Sequence, residues 1–401
     1  MSFFRRVFSA DYRAAVAAEA AGNVDLAAER YALAGEADGA VRMHIARAAR
    51  AGTRQAEIAA LRDAIRWAGS EPALLKMAAK ALGRALWESL RSEGVATERD
   101  RAKVREAAEL LVVGEDHQTA GEALELIGDL PGAAAAYSAG GYVEKMEATL
   151  AKDDAVAERA RDEADAFANY ETHMRVGRRD DARAELARAL ANAAAAGEYR
   201  RLLDQLDTAL LTGGRVELKR RGKPAIVACA APKIVIGRDA LCDLPLRAGG
   251  VSRQHAEIER TPSASGESTF QLRDLDSRNG TSLGGMPLVG KVPLAGAGRF
   301  GLGDECTIDF EVTSGILTLR LANGLDRGVA LLAGDDGQKL ALAPLGPQVP
   351  GLEISFTRGR PLLGRGSAKD VRFNDEPLGE LRVQLIRGDR IVADGDEIDV
   401  G

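Results

Sequence analysis

The spacing of apolar residues changes once along this chain, near residue 212, and no single layer of secondary structure accommodates both patterns. From residue 9 to about 211 apolar positions recur every three or four residues, through Ala-, Glu-, Arg- and Leu-rich runs separated by isolated glycines. That spacing predicts a string of helices. After LLTGGR the pattern alternates: RVELKRRGKPAIVACAAPKIVIGRD is rich in Val and Ile and is broken by a Gly-Lys-Pro turn. HAEIER, TFQLRDL, CTIDFEV and ILTLRLA follow at short intervals, the pattern of a β-sandwich. The expected organisation is a multidomain α and β chain: a tail over 1–8, a helical domain over 9–212, a β-sandwich over 213–313 and a second β domain over 314–401.

Two stretches of the helical half share one pattern. GNVDLAAERYALAG from Gly22 and GDLPGAAAAYSAGG from Gly128 both read Gly, Asn or Asp, then Ala at +5 and +6 and Tyr at +9; GRRDDARAELARAL from Gly177 keeps the Gly and the Ala at +5. Glycine ends one helix in a left-handed cap, small alanines let the next helix approach, and the tyrosine fills the space between them. The pattern resembles tetratricopeptide-type repeats, with an irregular period and without the full signature. The resemblance implies an α-solenoid that holds a protein partner.

At 401 residues the chain is long enough for two or three cores. A net charge of -6 argues against nucleic acid as a partner, because a nucleic-acid binder carries a basic domain or stripe. No uninterrupted apolar run approaches membrane-spanning length, and MSFFRRVFSADYR has no apolar stretch leading to a cleavage site. A cytoplasmic location is expected. Phe3, Phe4, Val7 and Phe8 with Arg5 and Arg6 could form a short surface anchor, but a frayed terminus is the plainer reading. Cys229, Cys242 and Cys306 lack paired spacing and read as core residues, and the four histidines are scattered, so neither a metal nor another cofactor is expected.

The chemistry concentrates in three pieces: IVIGRD ending at Asp239, VSRQHAEI from Val251, and LRDLDSRNGTSLGG ending at Gly285. Ser252 three residues ahead of His255 raises the question of a nucleophile and its base, yet no carboxylate is clearly placed to complete a triad. Together the pieces resemble the forkhead-associated (FHA) domain, whose signature is GR, then SxxH, then SxNGT. The resemblance implies an eleven-strand sandwich whose loops bind phosphothreonine peptides. In that reading Arg238 bonds the phosphate, Ser252 donates its hydroxyl to it, Arg253 adds a second cation, Asn279 bonds the peptide main chain and Arg278 touches the ligand. Gly237, His255, Gly280 and Thr281 form the framework that holds them. A phosphate ester with close to two negative charges and three acceptor oxygens needs such a convergence of fixed cations and short donors. GMPLVGKV, from Gly285, matches a phosphate loop in spacing only, since Val292 stands where a metal-binding Ser or Thr is needed and no helix pattern follows.

In the C-terminal remainder, Gly364-Arg365 can be laid beside Gly237-Arg238, which puts Gly379 opposite Ser252 and Arg382 opposite His255, with no NGT following. That alignment suggests a degenerate second FHA unit; an unrelated β extension is the alternative. Thr97 in SEGVATERDRAK, with Asp100 three residues on, would resemble a ligand of such a module if phosphorylated, but a helix cap is the plainer use of it. The expected function is that of a phosphothreonine-dependent adaptor rather than an enzyme. The sandwich would recruit a threonine-phosphorylated partner, downstream of a Ser/Thr kinase, and the helices would hold a second protein. The alternative is an assembly subunit that works without phosphate.

Overall fold

The computed structural model describes residues 9–261 and 267–401. The N-terminal tail, with its Phe and Arg cluster, lies outside the described residues. Eleven helices among the described residues run from Ala10–Ala20 to Gly197–Ala209, and strands begin at Arg215–Arg220. The switch of element type therefore falls where the apolar spacing changes. The compact units divide elsewhere, at Arg159 and Ala160, inside the long helix Val143–Arg175.

In the first unit each helix packs chiefly on its neighbour in sequence. Gly22, Gly35, Gly128 and Gly141 take φ of +72°, +71°, +78° and +75°, the left-handed values expected of the inter-helix glycines. Tyr31 and Tyr137 are buried as spacers. The glycines that make room for them escaped the sequence reading. A Cβ on Gly39 would stand 2.4 Å from the Tyr31 ring, and one on Gly121 would stand 2.4 Å from the Tyr137 ring. Thr97 caps the helix Glu98–Val113 in a reciprocal capping box: its hydroxyl accepts from the Asp100 N–H at 3.2 Å, and Asp100 accepts from the Thr97 N–H at 3.1 Å.

The second unit is organised by one sheet of twelve strands. At its centre Ile226–Cys229 lies parallel to Ala330–Ala333, and every residue of both strands is buried. Ile226, Ala228, Ala330 and Leu332 face one hydrophobic core, while Val227, Cys229, Leu331 and Ala333 face another. Side chains alternate across a strand, so the sheet presents one face to each of two cores. A five-stranded sheet that includes Lys233–Gly237, Ala256–Thr261 and Thr269–Asp274 covers the second core. A four-stranded sheet that includes Glu353–Thr357 and Arg360–Gly364 covers the first.

Two expectations need correction. Residues 313 and 314 do not separate domains, because Cys306–Thr313 and Ile316–Leu321 form one hairpin with its turn at Ser314 and Gly315. The final strand Asp396–Val400 also pairs with the first, Arg215–Arg220, so the C-terminal residues close onto the start of the β region.

The second correction concerns the internal likeness. The paired row Ile234–Ile258–Leu272–Val292 in one sandwich has its counterpart in Leu340–Ile354–Leu363–Val383 in the other. The turn hairpins after these strands also match: the Leu288 N–H donates to the Thr281 carbonyl and the Leu378 N–H to the Val371 carbonyl, each at 2.8 Å. In this register Gly364 and Arg365 stand opposite Arg273 and Asp274, not opposite Gly237 and Arg238. The Arg365 guanidinium is spent on the carbonyls of Ala368 and Lys369, and Arg382 donates to the Ser355 hydroxyl at 2.6 Å. Counted outward from that row, Pro344 takes the sequence position of Arg238, and Gln348 and Gly351 take those of Ser252 and His255, across a connection ten residues shorter.

The last helices belong to this unit through contacts with the second sandwich. Arg179, at the start of Arg179–Asn192, is buried and meets buried Asp389 at 3.1 Å; its guanidinium lies 5.6 Å from the centre of the Phe373 ring. Asp389 also accepts from the Ile386 N–H and from the Asn374 amide, both at 2.8 Å, so the Arg-Gly-Asp triplet at 387–389 is structural. Removing one partner of a buried pair strands the other charge. Asp389→Ala should therefore lower stability to urea by about 3–5 kcal/mol, whereas replacing Arg179 and Asp389 together by Met and Leu should recover much of the loss.

Candidate functional site

The five residues assigned to ligand contact, Arg238, Ser252, Arg253, Arg278 and Asn279, line one open cleft of about 980 Å³ at the loop end of the first sandwich. Three loops build it. The first leaves the strand Lys233–Gly237, where the Arg238 N–H donates to the Ser252 carbonyl at 2.9 Å and the Asp239 N–H to the Arg253 carbonyl at 3.0 Å. These bonds bring the loop of Ser252 and Arg253 directly against Gly237. A Cβ there would lie 2.1 Å from the Arg253 carbonyl oxygen, so close approach of backbone, not a special φ, requires the glycine.

His255 is fully buried behind this contact. Its Nδ1 accepts from the Ser252 backbone N–H at 3.0 Å, and its Nε2 lies 3.0 Å from the Gly280 carbonyl oxygen. With Nδ1 accepting, Nε2 carries the proton donated to Gly280. Both ring nitrogens are thus occupied by main chain, and neither is bonded to the Ser252 hydroxyl. Instead the Ser252 Oγ accepts from the Arg278 N–H at 3.0 Å, which leaves its own O–H to donate into the cleft. The imidazole ties the second loop to the third and sets the serine between them.

The third loop is organised by Asp274, which the sequence reading passed over. Its carboxylate accepts from the Ser277 N–H at 2.8 Å, the Ser277 O–H at 2.7 Å and the Thr281 O–H at 2.5 Å. The signal was present in the sequence as an Asp followed three residues later by Ser, the spacing of a side chain that closes a turn on its own backbone. Burial pushes the Asp274 carboxyl up, but the hydrogen bonds from Thr281 and Ser277, with His255 nearby, outweigh it and hold the carboxyl below its ordinary range. Gly280 takes φ of +72°, and Thr281 is buried at the start of the following strand. The Asn279 amide donates to the Gly250 carbonyl at 2.9 Å, so this asparagine also braces the second loop.

The electrostatics of the cleft follow from which charges are already paired. Arg273, a further lining residue, lies 3.2 Å from the Glu257 carboxylate. Asp274 is saturated by its donors, and Asp239 accepts from the Leu241 N–H at 3.0 Å. The guanidinium groups of Arg238, Arg253 and Arg278 are exposed and have no ion pair or hydrogen bond among the described residues. Three unpaired guanidinium groups and one free hydroxyl proton face a common space, which the carboxylates of Asp239 and Asp276, without an ion pair among the described residues, also line. No group of three or more His, Cys, Asp or Glu is placed to hold a metal among the described residues. GMPLVGKV forms strands around a turn with no helix behind it.

Residues 234–303 match the family model of the FHA domain. The sandwich itself draws further on Val227 and Cys229 and on strands as far as Ala333 to close its core. Among solved structures, the FhaA FHA domain complexed with the intracellular domain of Rv3910 is similar at 30% identity, covering 22% of this chain and 91% of that one, with a TM-score of 0.18. An FHA domain solved in a study of phosphothreonine-dependent FHA interactions shows 28% identity over 22% of this chain and 88% of its own, with a TM-score of 0.17. The FHA-1 domain of Mycobacterium tuberculosis Rv1747 shows 25% identity over 25% of this chain and 97% of its own, with a TM-score of 0.19. The FHA domain in this chain is the one that the family model delimits at residues 234–303. No curated protein matches the chain.

Two outcomes follow from this framework. His255→Ala would leave the Ser252 N–H and the Gly280 carbonyl without their partner, at about 1–3 kcal/mol each, so the variant should unfold at lower denaturant concentration than the parent. Asp274, with its folded value depressed, contributes stability that is present above its unfolded value, about 4, and is lost as pH falls through the lowered folded value. Acid titration of Asp274→Asn, followed by circular dichroism, should show a shallower loss of stability below about pH 4 than the parent.

Proposed function

We propose that the first sandwich binds phosphothreonine in a protein partner and that the chain is a phosphothreonine-dependent adaptor rather than an enzyme. The observation that supports this most is the set of three unpaired guanidinium groups around the Ser252 hydroxyl. A doubly charged phosphate offers three acceptors to such a set, and arginine forks with a short hydroxyl donor match its oxygens. Asn279 reads the ligand main chain through its side-chain carbonyl and the second N–H of its amide, the first N–H being held by the Gly250 carbonyl. The helical half, in the manner of tetratricopeptide arrays, holds a second protein, and a Ser/Thr kinase in the cytoplasm prepares the ligand. The second sandwich is a degenerate unit of the same kind. With Pro344, Gln348 and Gly351 at the three decisive positions it lacks the cation, the small hydroxyl and the imidazole, and it binds no phosphate.

Calorimetry with matched phosphorylated and unphosphorylated threonine peptides tests this reading. Binding should require the phosphate, and Arg238→Ala should weaken it by about 2–5 kcal/mol, the loss on truncating one side of a desolvated charge pair. Undiminished affinity in that variant would point to the phosphate-independent assembly role. Phosphoserine peptides should bind roughly tenfold or more weakly than phosphothreonine ones, because one methyl group in a fitted apolar contact is worth about 1–3 kcal/mol.

A further inference from the structure

In the four-stranded sheet of the second sandwich Ile354, Leu363 and Val383 belong to the core, so the alternate row Ser355–Leu362–Gln384 lies on the outer face. The start of the helix Arg179–Asn192 comes down on this row. The Gln384 N–H donates to the Gly177 carbonyl at 2.8 Å, and the Gln384 Oε1 accepts from the Asp180 N–H at 3.1 Å. Between the helix start and the sheet runs a cleft of about 620 Å³, which Leu362 and Gln384 line and which shares no residue with the cleft around Arg238. Gln384 is 7% exposed, and its Nε2 is buried with no hydrogen-bond partner among the described residues. Turning the amide over would satisfy nothing, because the Asp180 N–H needs the oxygen where it is. A buried donor of this kind calls for an acceptor.

Charge narrows what supplies it. Arg178 meets Asp181 at 2.8 Å and Arg360 meets Asp180 at 3.3 Å, which leaves Arg358 and Arg382 among the lining cations. Arg382 spends Nη1 on the Ser355 hydroxyl at 2.6 Å, and its Nη2 lies 3.7 Å from Glu353, too far for a hydrogen bond. Arg358 has neither an ion pair nor a side-chain hydrogen bond among the described residues. With Asp180, Asp181 and Glu353 set against these arginines, one positive charge is left over. Arg358 also stands where its turn favours another residue. Thr357 pairs with Arg360, and Arg358 and Gly359 between them take φ of +52° and +73°. Positive φ at both positions defines the type I′ turn, which prefers Asn-Gly. The Asp336 carboxylate holds the Arg358 N–H at 2.8 Å, so the turn itself makes no use of the guanidinium.

We propose that this cleft binds one carboxylate group of a small organic acid. One carboxylate oxygen accepts from the Gln384 Nε2, the Arg358 guanidinium meets the charge, and the positive end of the helix Arg179–Asn192 adds to the attraction. The apolar part of the acid packs on Leu362. Because Nε2 is closed to solvent, a flexible lining side chain swings aside as the acid enters, a common rotamer change on binding. The site is independent of the phosphothreonine reading.

Urea unfolding of the full chain in succinate, against sodium chloride at the same ionic strength, tests this. A ligand that binds only the folded chain raises the midpoint as its concentration rises, and succinate should do so in the parent. Arg358→Asn suits the turn and should be at least as stable as the parent without succinate, yet bind succinate roughly tenfold or more weakly. Gln384→Glu keeps the acceptor for Asp180 but sets a like charge against the acid, and its midpoint should not respond. No shift in the parent, or a shift undiminished in Arg358→Asn, overturns the inference. A shift with inorganic phosphate that Arg358→Asn abolishes also overturns it, because the cleft would then take anions without regard to the carboxylate.

Discussion

Two short parallel strands, Ile226–Cys229 and Ala330–Ala333, are committed to two cores along their whole length. Each is buried on both faces, so each contributes alternate side chains to two separate cores. A fully buried aliphatic side chain is worth roughly 1.5–3 kcal/mol relative to exposure, and here every position on the strand is committed to one core or the other. A shift of register by one residue would exchange the two sets and misfit both cores together. The position of Lys233–Gly237, and with it Arg238, is fixed because that strand follows Ile226–Cys229 after three residues and packs over its Val227 and Cys229 face.

The cleft at the loop end of the first sandwich is braced for a related reason. Its three loops are joined by bonds that leave the ligand-facing groups out: His255 bridges Ser252 and Gly280 through main chain, Asp274 closes the loop before Asn279, and Gly237 admits the Arg253 carbonyl where no side chain would fit. Framework polar groups are thus saturated, and the three guanidinium groups at the surface are not. Both imidazole nitrogens of His255 are held by main chain, and the Ser252 hydroxyl is bonded to the Arg278 N–H rather than to the ring.

Much of this was legible in the sequence because it depends on local spacing. The change of period near residue 212, the individual strands and the three motif pieces all report on neighbours within a few residues. What escaped depends on pairing over long separations. IVAC and ALLA read simply as short apolar runs, and nothing local says that strands about a hundred residues apart lie side by side or that each serves two cores. Gly364-Arg365 misled for the converse reason: a dipeptide matches by composition, while equivalence in a sheet is set by register, and the strand that ends at Gly364 takes the place of Thr269–Asp274. Asp274 was passed over because a single acid in a polar loop carries little signal until its three donors are seen together.

The two sandwiches share a strand order but divide their tasks by the residues at one end of the sheet. At the loop end, the first carries Arg238, Ser252 and His255, whereas Pro344 and Gly351 in the second supply neither a cation nor an imidazole. At the other end, the second sandwich receives the helices. The Gln384 N–H donates to the Gly177 carbonyl at 2.8 Å, the Arg387 N–H to the Ala209 carbonyl at 2.7 Å, and Arg179 enters beside Phe373 to reach Asp389. Burying that ion pair is tolerable only because Asp389 is further satisfied by Ile386 and Asn374, a network that asks for one geometry of the helical hairpin against the sheet. Through the shared strands that geometry continues into the first sandwich, so the loops around Arg238 are held by a platform that reaches from the buried pair at Asp389 to the imidazole of His255.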